Sequence, residues 1–293
     1  MSKFTKAYKG FDKDLKCRGF QYEIGKEFEE EKASLGNKGF HACLHPLDVL
    51  GYYPPIENNR YCVVEIDDNG ERRTDDTKVC GTKIKVGAEI GIKGLISATF
   101  EYVKERCTTD KQGADNTALT GGDSSALTGG NWSALTGGYR SALTGGDRSA
   151  LTGGNWSALT GGYRSALTGG DSSALTGGNW SALTGGYRSA LTGGNWSALT
   201  GGDSSALTGG NWSALTGGYS SALTGGEFSV VYGGEDAKVR AKKGSVLALQ
   251  YWVDGELKGI KFKEVDGVKI KEDTYYTLVN GKFKEVKDWR NKK

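Results

Sequence analysis

The chain has 293 residues, 38 basic against 35 acidic side chains and a net charge of +3. That length allows two or three domains, and so small a positive excess, with no basic cluster joined to a recognised motif, argues against a nucleic-acid partner. Met1 leads into Ser2-Lys3-Phe4-Thr5-Lys6 with no apolar run of signal or spanning length, so the chain reads as cytoplasmic and without a membrane partner.

Composition shifts near residues 112 and 233 divide the chain into 1–112, 113–232 and 233–293. The first segment reads as an α+β capping domain. Lys6 to Phe11 is a strand entering a turn, and Arg60 to Asp67 a buried strand. Two short strands follow over Thr77 to Val86. Gly91 to Cys107 places Leu95, Ile96, Phe100 and Val103 at helical spacing, for an amphipathic helix expected to pack beside the start of the next segment. All five cysteines lie in this segment, and an odd number without a secretion signal implies reduced thiols. His41-Ala42-Cys43-Leu44-His45 would put three soft ligands on one face of a strand, but no fourth ligand suggests itself and Pro46 ends the run. The expectation is an ordinary structural cysteine and no metal.

From Gly113 to Tyr232 one octad, Gly-Gly-x-x-Ser-Ala-Leu-Thr, recurs about fifteen times. Alternation in Ser133-Ala134-Leu135-Thr136 sends Ser133 and Leu135 to one side of a short strand and Ala134 and Thr136 to the other. The paired glycines are expected to turn the corner with positive backbone dihedrals. An octad cannot bury a face alone, so the copies must stack as a β-solenoid.

The variable positions set the register. With three octads per coil, Asp123, Asp147 and Asp171 would stack about 4.8 Å apart, as would Arg140, Arg164 and Arg188. Both columns repel. With two octads, one edge carries Trp132, Arg148, Arg164, Trp180, Trp196, Trp212 and Phe228, mixing aromatic stacking with arginine over indole. The other carries Ser124, Arg140, Trp156, Ser172, Arg188, Ser204 and Ser220. The triplet order also slips at Asn195, which a structural coil would not tolerate. The expected coil is therefore about 16 residues long, with leucines meeting in a narrow core.

Beyond Tyr232 the octad decays into an apolar stretch over Lys243 to Trp252, the closing coil. Asp254-Gly255, Asp266-Gly267 and Asn280-Gly281 then sit between short alternating runs and predict tight hairpins, a small meander with lysine-blunted edges.

Three resemblances attach to these residues. The octad is similar to that of bacterial ice-nucleation proteins, which implies a two-octad coil and outward rows that order water. Here Ala134 and its equivalents stand where that family has its first threonine, so weaker ice binding is what the likeness implies. Tyr8-Lys9-Gly10, Gly39-Phe40-His41, a helix over Pro46 to Tyr53 and a strand ending near Glu65 loosely resemble the ADP-ribosyltransferase layout, which implies an enzyme or NAD-related ligand binder in the first domain. Lys9 holds the early catalytic position, while Glu65 and Glu101 both fit the late glutamate poorly. Lys6 to Phe11, Cys17 to Phe20, Gly39 to Cys43 and Asp76 to Lys83 together resemble an uncharacterised family of phage and prophage octapeptide proteins.

No catalytic triad, phosphate loop or complete metal set appears. The sequence therefore predicts a non-enzymatic, mainly β protein with no cofactor. Its candidate binding residues are Trp132, Arg148, Arg164, Trp180, Trp196, Trp212 and Phe228, with self-association or a host protein as partner.

Overall fold

The computed structural model describes residues 4–54, 59–71, 76–107 and 109–286. The chain forms two compact units, one ending at Tyr102 and the other starting at Val103.

The first unit is α+β. Its strands are β1 (Thr5–Phe11), β2 (Lys16–Cys17), β3 (Phe20–Gln21), β4 (Glu27–Glu29), β5 (Phe40–Cys43), β6 (Arg60–Ile66), β7 (Lys78–Gly81) and β8 (Lys83–Ile90). Six form an antiparallel sheet in the order β4-β8-β6-β1-β5-β7. Phe11, Phe40, Ile66, Val79 and Ile84 meet in its core. Pro46–Gly51 is a short 3-10 helix of about two turns with proline at its start, where the missing N–H costs nothing. Helix α1 spans Ile92–Lys104, with Leu95, Ile96 and Val103 buried as their spacing required.

His41, Cys43 and His45 do not converge on one site. The His41 ring lies within reach of Ser34 O and Gly36 N, at 3.3 and 2.9 Å. His45 falls beyond the strand's end, 3.6 Å from the Asp48 carboxylate and edge-on to the Tyr102 ring. Among the described residues no group of three or more His, Cys, Asp or Glu could hold a metal ion, and all five cysteines are free.

The second unit is a β-solenoid of two parallel sheets. Strand Ala134–Thr136 pairs with Ala150–Thr152, and Ala142–Thr144 with Ala158–Thr160, so equivalent atoms recur every 16 residues. This is the two-octad coil. Leu127 to Leu223, one per octad, form a continuous buried column, and each burial contributes roughly 1.5–3 kcal/mol. The buried serines link coils: Ser149 Oγ accepts from Ser133 N at 3.3 Å and donates to Gly130 O at 3.3 Å. The solenoid extends past the strict octads at both ends. Thr109–Gln112 pairs with Ser125–Thr128 before them, and Val246–Val253 with Val230–Gly233 after them.

Two hairpins finish the C-terminal end, one for each sheet. Val246–Val253 turns at Asp254-Gly255 into Glu256–Glu264, and Tyr276–Val279 turns at Asn280-Gly281 into Lys282–Glu285. The Asp266-Gly267 hairpin expected from sequence is absent. Asp266 instead accepts the N–H groups of Val268, Lys269 and Ile270, which spends the turn on a compact bend, and the next strand begins only at Tyr276. Lys258, Lys261 and Lys263 lie along the terminal strand of the ten-stranded sheet and discourage edge pairing.

Candidate functional site

The corners of the solenoid hold the residues singled out by sequence, and their backbone differs from expectation. None of the paired glycines of the octads from Gly121 to Gly226 has a positive φ. The left-handed conformation falls on the second variable residue: φ is 59° at Trp132, 56° at Arg148, 57° at Arg164 and 62° at Trp180. Hydrogen bonding between coils imposes it. Turned this way, Trp132 N donates to Asp147 O at 2.8 Å and Arg148 N to Tyr163 O at 2.7 Å. The glycines are there for room instead. A Cβ on Gly202 would lie 2.9 Å from Gly186 C and 3.0 Å from Tyr187 N in the preceding coil, and one on Gly185 would lie 2.7 Å from Ser189 Cβ.

The first variable residue is also explained by inter-coil bonding. Asp123 Oδ1 accepts Tyr139 N, Asp147 Oδ1 accepts Tyr163 N and Asn195 Oδ1 accepts Asn211 N, at 2.8, 2.8 and 2.9 Å. Asparagine or aspartate at this position therefore continues a ladder up the edge. A tyrosine there has no acceptor at that reach and interrupts it.

One edge presents Trp132, Arg148, Arg164, Trp180, Trp196, Trp212 and Phe228, all exposed, with about half of each of the three central indoles open to solvent. Trp180 and Trp196 stack at 5.1 Å, Trp196 and Trp212 at 5.0 Å, and Trp212 and Phe228 at 4.7 Å between ring centres. Arg148 lies 4.5 Å from the Trp132 ring centre and Arg164 5.8 Å from that of Trp180. Sequence thus located the whole column. It missed Tyr139, Tyr163, Tyr187 and Tyr219, which are exposed beside the second variable positions. The guanidinium groups of Arg140, Arg164 and Arg188 sit over Tyr139, Tyr163 and Tyr187 at 4.9, 5.1 and 4.6 Å. The recurring Tyr-Arg dipeptide was the available signal. On the opposite edge Arg140 also reaches Trp156, at 5.2 Å, but serines at Ser172, Ser204 and Ser220 leave no continuous stack.

Magnitudes show what the stripe does not do. An L-residue in the left-handed region costs roughly 1–2 kcal/mol, whereas an aromatic stack returns about 0.5–1.5 kcal/mol and an exposed cation–π contact about 0.5–1 kcal/mol. Asparagine or glycine would hold the same corner without the cost. Corner stability alone therefore does not account for bulky side chains placed there coil after coil.

In the ten-stranded sheet a second regular surface lies beside this edge. Ala134, Ala150, Ala166, Ala182, Ala198 and Ala214, with Thr136, Thr152, Thr168, Thr184, Thr200 and Thr216, are exposed in two straight rows.

In the first unit, Lys9 and His41 lie on adjacent strands and line a common cavity. Neither glutamate considered for the ADP-ribosyltransferase layout joins them. Glu65 faces Lys85 at 3.7 Å, Glu101 is exposed on α1, and neither lines that cavity.

Residues 5–98 match the model of a domain of unknown function, DUF7666. No curated protein and no solved structure matches the chain. Among the described residues no helix is long and apolar enough to cross a membrane.

Proposed function

We propose that this is a non-enzymatic structural protein that self-associates through the indole and arginine edge, two copies meeting antiparallel about a two-fold axis. The observation that carries this reading is the run of seven exposed aromatic or arginine side chains from Trp132 to Phe228, joined by five ring contacts between successive rungs and all held in the left-handed region.

The order of the column favours a second copy as the occupant. An isologous pair centred on Trp180 sets Arg164 against the partner copy's equivalent of Trp196, Arg148 against that of Trp212, and Trp132 against that of Phe228. Each arginine then meets an indole. A parallel, in-register pair would set arginine against arginine. The stripe is roughly 30 Å long, six steps of about 4.8 Å. With a width on the order of 10 Å it buries about 300 Å² per copy, well under the roughly 800 Å² of a standard stable interface. Association should be reversible and concentration-dependent.

Sedimentation velocity over a range of concentrations tests this. The wild-type chain should move toward dimer as concentration rises, and a triple serine variant at Trp180, Trp196 and Trp212 should remain monomeric with an unchanged far-ultraviolet spectrum. A monomer at every concentration, or a variant that associates like wild type, would overturn the reading.

Ice binding is the second reading, and the two straight rows of exposed alanine and threonine favour it. It calls for shaped ice crystals in the presence of the protein and their loss when Thr136, Thr152 and Thr168 are replaced by tyrosine.

A further inference from the structure

The first unit contains a cavity of about 480 Å³ lined in part by β1, β5 and the residues after the 3-10 helix. Lys9 lines it and is 5% exposed. Its Nζ donates to His41 O at 2.7 Å, lies 3.6 Å from Cys17 Sγ and sits 5.3 Å from the Tyr22 ring centre. Lys78, on β7, is 9% exposed and holds its Nζ 4.5 Å from the Tyr52 ring centre. Among the described residues no carboxylate forms an ion pair with either ammonium. The Asp76 carboxylate is taken by the Tyr52 hydroxyl and Lys78 N. Glu30 is the one acidic side chain among the lining residues described, and it is exposed.

Two buried lysines with no ion-paired carboxylate are an expensive thing for a small domain to keep. Burial, the largest influence, lowers the affinity of Lys9 for its proton against the opposing pull of Cys17 and Cys43. Burial, then Lys78 and Lys9, likewise hold His41 below the ordinary histidine range. A methionine would fill the space of either lysine without the desolvation penalty. Arg18 and Lys38 add positive charge to the lining, and Phe20, Tyr22 and Tyr52 give it aromatic surface.

We propose that this cavity binds a small phosphate ester, the phosphate held by Lys9 and Lys78 and the organic part resting on Phe20, Tyr22 and Tyr52. An ammonium is a compact point charge with donors free to rotate toward a tetrahedral anion. A neutral or cationic ligand would leave the two lysines uncompensated, whereas a dianion neutralises both. The cavity is far larger than one phosphate and falls in the range of small-molecule sites, roughly 300–1,000 Å³. None of the solenoid residues takes part, so this site stands or falls separately from self-association.

Calorimetry and thermal melting of the full chain provide the test, with phenyl phosphate and adenosine monophosphate as probes and phenol, benzoate and adenosine as controls. At least one phosphate probe should bind and raise the melting temperature, and the controls should not. Lys9→Met should melt higher than wild type yet bind about tenfold or more weakly, the loss expected for one charge-assisted bond. Lys78→Met, nearer the surface, gives a second variant with the same expected loss. No binding of either phosphate probe, equal binding of benzoate, or binding unchanged in both variants would overturn the proposal.

Discussion

Substitutions at Gly202 and Ser204 separate two accounts of the solenoid corner, one in which glycine supplies a left-handed turn and one in which it supplies room. Both lie in the corner after Thr200, two residues apart. Gly202 has no positive φ, and an added Cβ would come within 2.9–3.0 Å of the Gly186 and Tyr187 backbone. Backbone cannot give way as a side-chain tip can, so the coils must separate locally. Gly202→Ala and Gly202→Asn should each cost about 1–3 kcal/mol, the usual range for overpacking. Ser204 has φ of 57°, a region that costs an ordinary L-residue roughly 1–2 kcal/mol and asparagine less. Ser204→Asn should therefore be neutral or gain up to about 1 kcal/mol, and Ser204→Val, β-branched in the same region, should lose at least about 1 kcal/mol. Guanidinium unfolding followed by circular dichroism measures all four. Tolerance of Gly202→Asn together with destabilisation by Ser204→Asn would refute the assignment.

Further outcomes follow from the ladders and from the first unit. Leu175→Ala, in the middle of the fully buried leucine column, should cost about 3–5 kcal/mol in the same unfolding measurement. Asp147→Ala removes the acceptor for Tyr163 N and should cost about 0.5–1.5 kcal/mol, while Asp147→Asn keeps the bond and most of the stability. For Asp48, burial works to raise the carboxyl, but the His45 ring 3.6 Å away and hydrogen bonds from Thr77 N and Oγ1 outweigh it and hold the group below its usual range. A depressed carboxylate stabilises the fold above its unfolded value, near pH 4, and that contribution is lost as pH falls through the folded value. The melting temperature of the first unit should therefore fall more steeply from pH 5 to pH 2 in wild type than in Asp48→Asn.

Much of the solenoid was legible because one constraint acts at every coil. Repulsion between like charges at strand spacing disfavours three octads, which would stack whole columns of aspartate and arginine, whereas two octads leave only Arg148 beside Arg164 in the column that aligns Trp180 with Trp196 and Trp212. Alternation at Ser133 to Thr136 likewise predicts which side chains turn inward. The corner was misread because two consecutive glycines ordinarily signal positive φ, whereas here the deciding contact comes from a residue sixteen positions away. The Asp and Asn ladder escaped notice for the same reason: its bond runs to the next coil and leaves no local pattern. In the first unit, strands over Lys6–Phe11 and Arg60–Asp67 were readable from their apolar runs. The convergence of Lys9 and Lys78 was not, since β5 joins β1 to β7 only through long-range pairing.

Cross-linking at Trp180 tests self-association most directly, because Trp180 occupies the centre of the seven-rung column and faces itself in the antiparallel pair. Single cysteines would be placed at Trp180, Trp132 or Phe228 in a chain whose partly exposed Cys17 and Cys107 are serine, then treated with a short bifunctional maleimide. Trp180→Cys should yield covalent dimer. Trp132→Cys alone should not, but mixed with Phe228→Cys it should yield the heterodimer. Dimer from Trp132→Cys alone, with none from Trp180→Cys, would contradict the two-fold edge.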